Sequence, residues 1–268
     1  MSIGGLEFEP ITTDCGNAED LARDLENYLL TGRVSGECLN EETLFRLEAV
    51  LSFIEHLEVL VSKPVETANS GEFVASDLPL VLATKRRNNG GGAVVGTDAF
   101  FPGSREKFIE LALGKLGDDA FCKAKKFNSL FFKFVETFRQ RRPFIEVTYF
   151  LLYSGLEAHA RAVLNDQITR NSSVPISKLL ESYGFNVYQN NTSDLPRSIS
   201  TYTHIRNALF HNGEFQSVVR MNHVNVQLDL RKYLFNLSML VSLTIMKALQ
   251  FDDGHINWDS WIDRQPFK

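Results

Sequence analysis

Signals for α-helix follow one another with few interruptions from residue 105 to residue 250. They predict helices over residues 105–117, 120–141, 144–170, 175–184, 194–212 and 225–250. Pro175 and Pro196 stand where the first turn of a helix tolerates proline. Gly184 and Gly213 stand where a helix ends. Because amphipathic helices must bury their apolar stripes against one another, this pattern predicts a helical bundle over residues 105–268.

Residues 1–104 have a different pattern and are predicted to form a separate, acidic N-terminal region. Asn40 can cap the start of a helix whose apolar residues recur with a period of about 3.6, and Pro64 ends it. Predicted helices cover residues 17–31 and 40–62, and β-prone pieces cover 80–83 and 93–95. The predicted fold class is therefore mainly α, a helical bundle preceded by a mostly helical region with possible short strands. A sensing or regulatory role is our hypothesis for this region.

Composition excludes several classes of protein. The three cysteines, Cys15, Cys38 and Cys122, are far apart and lie in no zinc-ligand spacing, so neither a disulfide framework nor a metal site is predicted. The N-terminus has no basic segment followed by an apolar one, which argues against a signal peptide. The most apolar stretch, residues 234–249, is interrupted by polar residues and is shorter than a membrane span. We expect a cytoplasmic protein without a membrane segment, a metal or a cofactor.

Charge is distributed unevenly along a chain whose net charge is −5. Residues 1–62 carry thirteen Asp and Glu against three Arg, whereas residues 120–142 carry seven Lys and Arg against one Glu. A local positive field of this kind can attract a polyanion. The side chains predicted to bind RNA are Lys123, Lys125, Lys126, Arg139, Arg141 and Arg142. The phenylalanines among them fit a core stripe better than a surface for stacking bases.

A short motif, Arg206 to His211, groups a phosphate-binding cation with a proton-transfer residue. The Arg guanidinium offers a rigid fork of donors to phosphate oxygens, and His titrates near neutral pH. Asn207 and His211 lie four apart, on one face of a helix, where the amide can hydrogen-bond the ring. Arg206 lies about 140° around the helix axis from His211, so it reaches the same phosphate by its long side chain or from another subunit.

The segment Ile205–Gly213 (IRNALFHNG), together with Phe150–Leu164 (FLLYSGLEAHARAVL), resembles the HEPN superfamily of small helical-bundle ribonucleases. The resemblance covers roughly residues 105–250 and does not extend to the first hundred residues. It implies that Arg206, Asn207 and His211 cleave RNA without a metal, in a site completed by two motifs facing each other across a homodimer. It also implies a setting in antiviral defence or as a toxin in a stress response. HEPN toxins silenced by adenylylation carry Tyr two residues after the His, where this chain has Gly213. That route of regulation is therefore not expected.

The expected reaction is attack of a ribose 2′-hydroxyl on the adjacent phosphorus. His211 moves a proton while Arg206 stabilises the phosphoryl charge. Because two protons must move, a symmetric dimer would supply a second His. Glu157 lies among apolar residues of the helix predicted over 144–170, and it either orients Arg206 as a buried partner or stays exposed beside Arg161.

Two other functions stay open at this point. The chain can be a non-catalytic helical module for dimerisation or for binding RNA or a nucleotide, which metal-independent cleavage in EDTA would distinguish. It can also be a toxin held by an antitoxin or another regulatory partner, which rescue of toxicity by that partner would reveal.

Overall fold

The structure, a computed structural model, describes most of the chain after residue 38 and part of what precedes it. The described residues are 2–3, 5–10, 27–29, 32–36, 39–63, 81–84, 94–97, 99–139, 143–221 and 223–268. With 57% helix and 12% strand, the fold is mainly α, which confirms the predicted class. Among the described residues, no helix combines the length and apolarity that a membrane span requires.

The N-terminal part contains short antiparallel strands and one long helix. Its elements are β1 (Ser2–Ile3), β2 (Leu6–Pro10), β3 (Asn27–Leu29), β4 (Gly32–Ser35), α1 (Glu41–Glu55) and β5 (Val81–Thr84). Strand β2 pairs with β1 and β4, and β3 pairs with β5. The helix predicted over 17–31 is wrong at β3, because those residues pair with a strand that is distant in sequence. Residues 17–26 lie outside the described residues.

Helix α1 begins as its sequence predicts and contributes to the same core as the later helices. The Asn40 side chain accepts a hydrogen bond from the Thr43 backbone N–H at 2.8 Å. The helix ends at Glu55, before the predicted residue 62, because His56 adopts a left-handed φ of 48°. Phe53 is fully buried and stacks on Phe108 with ring centroids 5.0 Å apart. The domain boundary after residue 104 stays a prediction.

Helices α2 to α7 form the bundle, and an antiparallel hairpin separates them from α8. Their bounds are α2 (Ser104–Gly117), α3 (Asp119–Lys125), α4 (Phe127–Arg139), α5 (Ile145–Leu164), α6 (Ser173–Ser182), α7 (Ile199–Asn212), β6 (Gln216–Met221), β7 (Val224–Asp229), α8 (Leu230–Ala248) and α9 (Ser260–Asp263). The helix predicted over 120–141 is divided in two at Lys126, whose φ is 52°. The helix predicted over 225–250 loses its first residues to β7, which pairs with β6 along its whole length.

The core is built from the phenylalanines of α4 and the apolar face of α8. Phe127, Phe131, Phe134 and Phe138 are all buried, which confirms the core interpretation of this stripe. Beyond its first turns α8 is almost wholly buried, so the most apolar stretch of the sequence is a core helix. Helices α5 and α7 pack on this centre, and between them lies the surface that carries the motif.

Candidate functional site

Helix α7 carries the whole motif, and the polarity of its two faces decides which motif residues are exposed. Ile199, Tyr202 and Ile205 are buried on the inner face, and Leu209 continues that face toward the C-terminus. Arg206, Asn207 and His211 lie on the outer face, partly or fully exposed. The helix ends at Gly213, whose φ of 68° lets its N–H donate to the carbonyls of Ala208 and Leu209. The helix therefore ends where Gly213 predicts, and His211 lies in its last turn.

Arg206 and His211 line one cavity of about 170 Å³ between α5 and α7. We call it the motif cavity. Its other lining residues are Phe150, Tyr153, Ser154, Glu157 and Phe210. The cavity therefore combines a cation, an imidazole and a carboxylate with three aromatic rings. Both motif residues line it from one chain, so the long side chain of Arg206 brings its guanidinium to the cavity that His211 also lines.

The Arg206 guanidinium is held by polar and aromatic contacts. Its Nη1 donates to the Asn207 Oδ1 at 3.0 Å, and its Nη2 lies 3.8 Å from Glu157 Oε2. The guanidinium carbon also lies 5.7 Å from the Tyr153 ring centroid and 5.8 Å from that of Phe210. The side chain is 36% exposed, so one side of this cation stays open to a ligand.

The sequence motif and the structure differ in what Asn207 does. Among the described residues Asn207 forms no hydrogen bond to His211, and its carboxamide oxygen is taken by Arg206. His211 is exposed in the last turn of α7 and has no hydrogen-bond partner within the described part of the chain. Asn207 therefore positions the cation in this structure.

Glu157 is part of an ion-pair network on α5. Its side chain is 17% exposed, and it accepts from Arg161 Nε at 2.9 Å in addition to its contact with Arg206. The sequence left two alternatives for Glu157, a buried partner of Arg206 or an exposed acid beside Arg161. In the structure Glu157 contacts both arginines. The partly buried Glu157 carboxylate therefore places a negative charge beside the Arg206 guanidinium.

A second cavity, of about 390 Å³, lies on the other side of Arg206. We call it the polar cavity. It is lined by Arg170, Asn171, Ser172, Ser200, Thr203, His204, Arg206 and Asn207. No acidic residue and no aromatic ring other than the His204 imidazole is among these described lining residues. Burial lowers the pKa of His204, which keeps its imidazole neutral at pH 7.

Tyr153 connects the two cavities, and sequence reasoning missed it. Its ring lines the motif cavity, whereas its hydroxyl is 2.7 Å from Ser172 Oγ and 2.8 Å from Thr203 Oγ1, two residues of the polar cavity. Burial raises the pKa of Tyr153, so the hydroxyl stays protonated. The signal for its role was present in the spacing, since Phe150, Tyr153 and Glu157 lie on one face of a helix.

The residues predicted to bind RNA lie in different surroundings. Lys123 and Lys126 are exposed, and Lys125 is half-buried. Arg139 is ion-paired to Glu48 at 2.8 Å, and its guanidinium carbon lies 5.7 Å from the Phe45 ring centroid. Arg141 and Arg142 lie outside the described residues. RNA binding by this set remains a prediction.

Lys133, which was not among those predicted to bind RNA, lies beside the motif cavity. Its Nζ donates to Ser154 Oγ at 2.9 Å and lies 5.7 Å from the Phe150 ring centroid. Burial lowers the pKa of this ammonium group from its ordinary value. A second cation therefore adjoins the cavity wall formed by α5.

His159 has a structural position. Its Nδ1 donates to the Lys125 carbonyl at 2.7 Å, its Nε2 lies 3.3 Å from the Tyr183 hydroxyl, and burial lowers its pKa to about 4. It lines neither cavity. Within the described ranges, no group of three or more His, Cys, Asp or Glu side chains is arranged to hold a metal ion.

Comparison of the chain with known protein families, curated proteins and solved structures finds no match.

Proposed function

We propose that this protein is a metal-independent endoribonuclease of the HEPN type. The observation that carries the proposal is the shared lining of the motif cavity by Arg206 and His211. Phosphodiester cleavage needs a charge partner for the phosphoryl oxygens and a group that moves protons, both within reach of one phosphorus. A guanidinium with an open side and an exposed imidazole, both lining one cavity, supply the two groups.

Each side chain has a definite task in the proposed reaction. The phosphate binds at the open side of Arg206, which Asn207 and Glu157 hold in place. His211 takes the proton of the ribose 2′-hydroxyl as that oxygen attacks phosphorus, and the bond to the leaving 5′-oxygen breaks. The leaving oxygen takes a proton from a second acid. A positioned acid or base contributes about 10²–10⁴-fold to the rate.

The aromatic rings of the motif cavity suit a base of a single strand. Phe150 and Phe210 lie with ring centroids 5.1 Å apart and are 43% and 45% exposed. Stacking of a base on an exposed ring contributes roughly 1–3 kcal/mol and tolerates any base. Together with the cation of Lys133 behind Phe150, this wall supports binding of single-stranded RNA rather than a small anion.

An exposed apolar face beside the cavity supports a homodimer. Phe144 and Val147 are 69% and 42% exposed and lie three residues apart where α5 begins, and neither lines the motif cavity, so pairing through them leaves Phe150 and Phe210 available to a base. Pairing two copies through this face would bury apolar surface at a gain of about 25 cal/mol per Å². It would also bring a second His211 near the first, which would supply the second acid. Mass in solution tests this part of the proposal.

The decisive experiment is cleavage of single-stranded RNA in excess EDTA by the wild type and by His211→Ala. We expect the variant to lose at least about 10²-fold in rate. The matched control is His223→Asn, because His223 is exposed in the β6–β7 turn and lines neither cavity. Asn tolerates the positive φ of 66° found there.

Two outcomes would contradict the proposal. Equal cleavage by wild type and His211→Ala would remove the imidazole from the reaction. RNA binding without cleavage by the wild type would indicate the alternative function, a non-catalytic module that binds RNA or a nucleotide. An antitoxin or other regulatory partner is compatible with a ribonuclease, and co-purification from cells that tolerate the active protein would reveal it.

A further inference from the structure

We infer that the polar cavity is a second sugar-phosphate subsite, which holds the nucleotide next to the one cleaved in the motif cavity. The inference rests on the proposed function for the identity of its ligand. It makes the substrate a single strand that spans both cavities, with its backbone passing Arg206. Arg206 is the residue that joins the two, because it lines both.

The lining of the polar cavity selects an anion. Arg170 is exposed and forms no ion pair among the residues that the structure describes. Arg206 supplies a second guanidinium, and none of the lining residues carries a negative charge. Two guanidiniums without a carboxylate between them repel each other, and a phosphate placed between them would remove that repulsion.

Neutral donors complete the site. The carboxamide oxygens of Asn171 and Asn207 are occupied by Ser173 and Arg206, while their nitrogens donate to no other described residue. Asn171 and Ser172 directly precede α6, so the partial positive charge of its first turn lies beside the cavity. Hydroxyls and amides at this position can bond the ribose oxygens as well as the phosphate.

The contrast between the two cavities assigns the parts of a nucleotide. The motif cavity has the rings of two phenylalanines and a tyrosine for a base, whereas the polar cavity has none of these. The larger volume of about 390 Å³ is within the range of small-ligand sites and exceeds what one phosphate needs. The Tyr153 hydroxyl fixes Ser172 and Thr203 relative to the motif cavity, so the two subsites keep a constant separation.

The test is the salt dependence of binding to an octanucleotide whose sugars are all 2′-deoxy, so that no cleavage can occur. Fluorescence anisotropy is measured over a series of salt concentrations for wild type and Arg170→Gln. Loss of one phosphate contact lowers the slope of log affinity against log salt by about 0.7. The matched control is Lys178→Gln, which removes one charge from an exposed position of α6 that lines neither cavity.

We expect a smaller slope for Arg170→Gln and the wild-type slope for Lys178→Gln, with all three proteins melting at the same temperature. An unchanged slope for Arg170→Gln, equal reductions in both variants, or no binding by the wild type would overturn the subsite. Failure of the ribonuclease proposal is seen separately, as absence of cleavage in EDTA. That result leaves the binding measurement as it stands.

Discussion

The hydroxyl of Tyr153 offers the sharpest test of how the site is held together. It bonds Ser172 and Thr203, so one atom connects α5 to the start of α6 and to α7. Substitution by Phe keeps the ring beneath Arg206 and removes only this connection. Tyr153→Phe therefore separates the ring's contribution from that of the hydroxyl.

The cost in stability follows from what the substitution leaves behind. Thr203 Oγ1 keeps its bond to the Ile199 carbonyl at 3.2 Å, but the buried Ser172 Oγ loses its partner. A buried polar group left unsatisfied costs about 1–3 kcal/mol. In a chain of 268 residues that loss lowers the melting temperature by roughly 2–5 °C.

We also expect Tyr153→Phe to cleave RNA more slowly than the wild type, even at temperatures where both proteins are folded. Without the hydroxyl, α7 can shift relative to α5, and a small displacement of a catalytic group costs about tenfold or more in kcat/KM. The control is Tyr149→Phe on the same helix, where a fully buried hydroxyl donates to the Tyr202 carbonyl at 2.8 Å. It should lose about 1 kcal/mol of stability and keep the wild-type kcat/KM.

Both variants are compared by thermal unfolding and by cleavage in EDTA at a temperature well below either transition. If Tyr153→Phe and the wild type have the same melting temperature, the Tyr153 hydroxyl does not stabilise the junction of the three helices. If both variants lose activity equally, the link from Tyr153 to the cavities has no special part in the reaction.

The remaining predictions concern two side chains outside the cavities. His159 has a pKa of about 4 in the folded protein against the ordinary value of 6.5 in the unfolded chain, so between these values the unfolded chain binds a proton that the folded one does not. The free energy of unfolding should therefore fall by about 3 kcal/mol as pH drops through this window, and urea denaturation of His159→Gln should show that much less pH dependence. Arg139→Gln should lower the free energy of unfolding by roughly 1–2 kcal/mol because it breaks the pair with Glu48, and it should lower the salt slope of RNA binding by about 0.7 because one predicted phosphate contact is lost. An unchanged slope would show that Arg139 stays paired with Glu48 and does not bind RNA.

Several local features of the fold could be predicted because neighbouring residues decide them. Asn40 starts α1 and Gly213 ends α7, as their side-chain chemistry and backbone freedom predict. The division of the helix predicted over 120–141 was not predicted, since Lys126 in a left-handed conformation carries no strong local signal. The hairpin was missed although Val224 to Asp229 alternates apolar and polar residues. The same residues also carry helical signals, and only pairing with β6 decides in favour of a strand.

The sequence by itself determined the mainly α class, the core role of the phenylalanines in α4 and the position of the motif on one helix. These follow from periodicity and capping, which act over a few residues. Only the tertiary structure decided that Arg206 lines a cavity with His211, that Asn207 bonds the cation rather than the imidazole, and that Tyr153 links two cavities. Helix α5 and helix α7 are far apart in the chain, and their relative position depends on how the whole core packs. Side-chain contacts between them cannot be obtained from local preference.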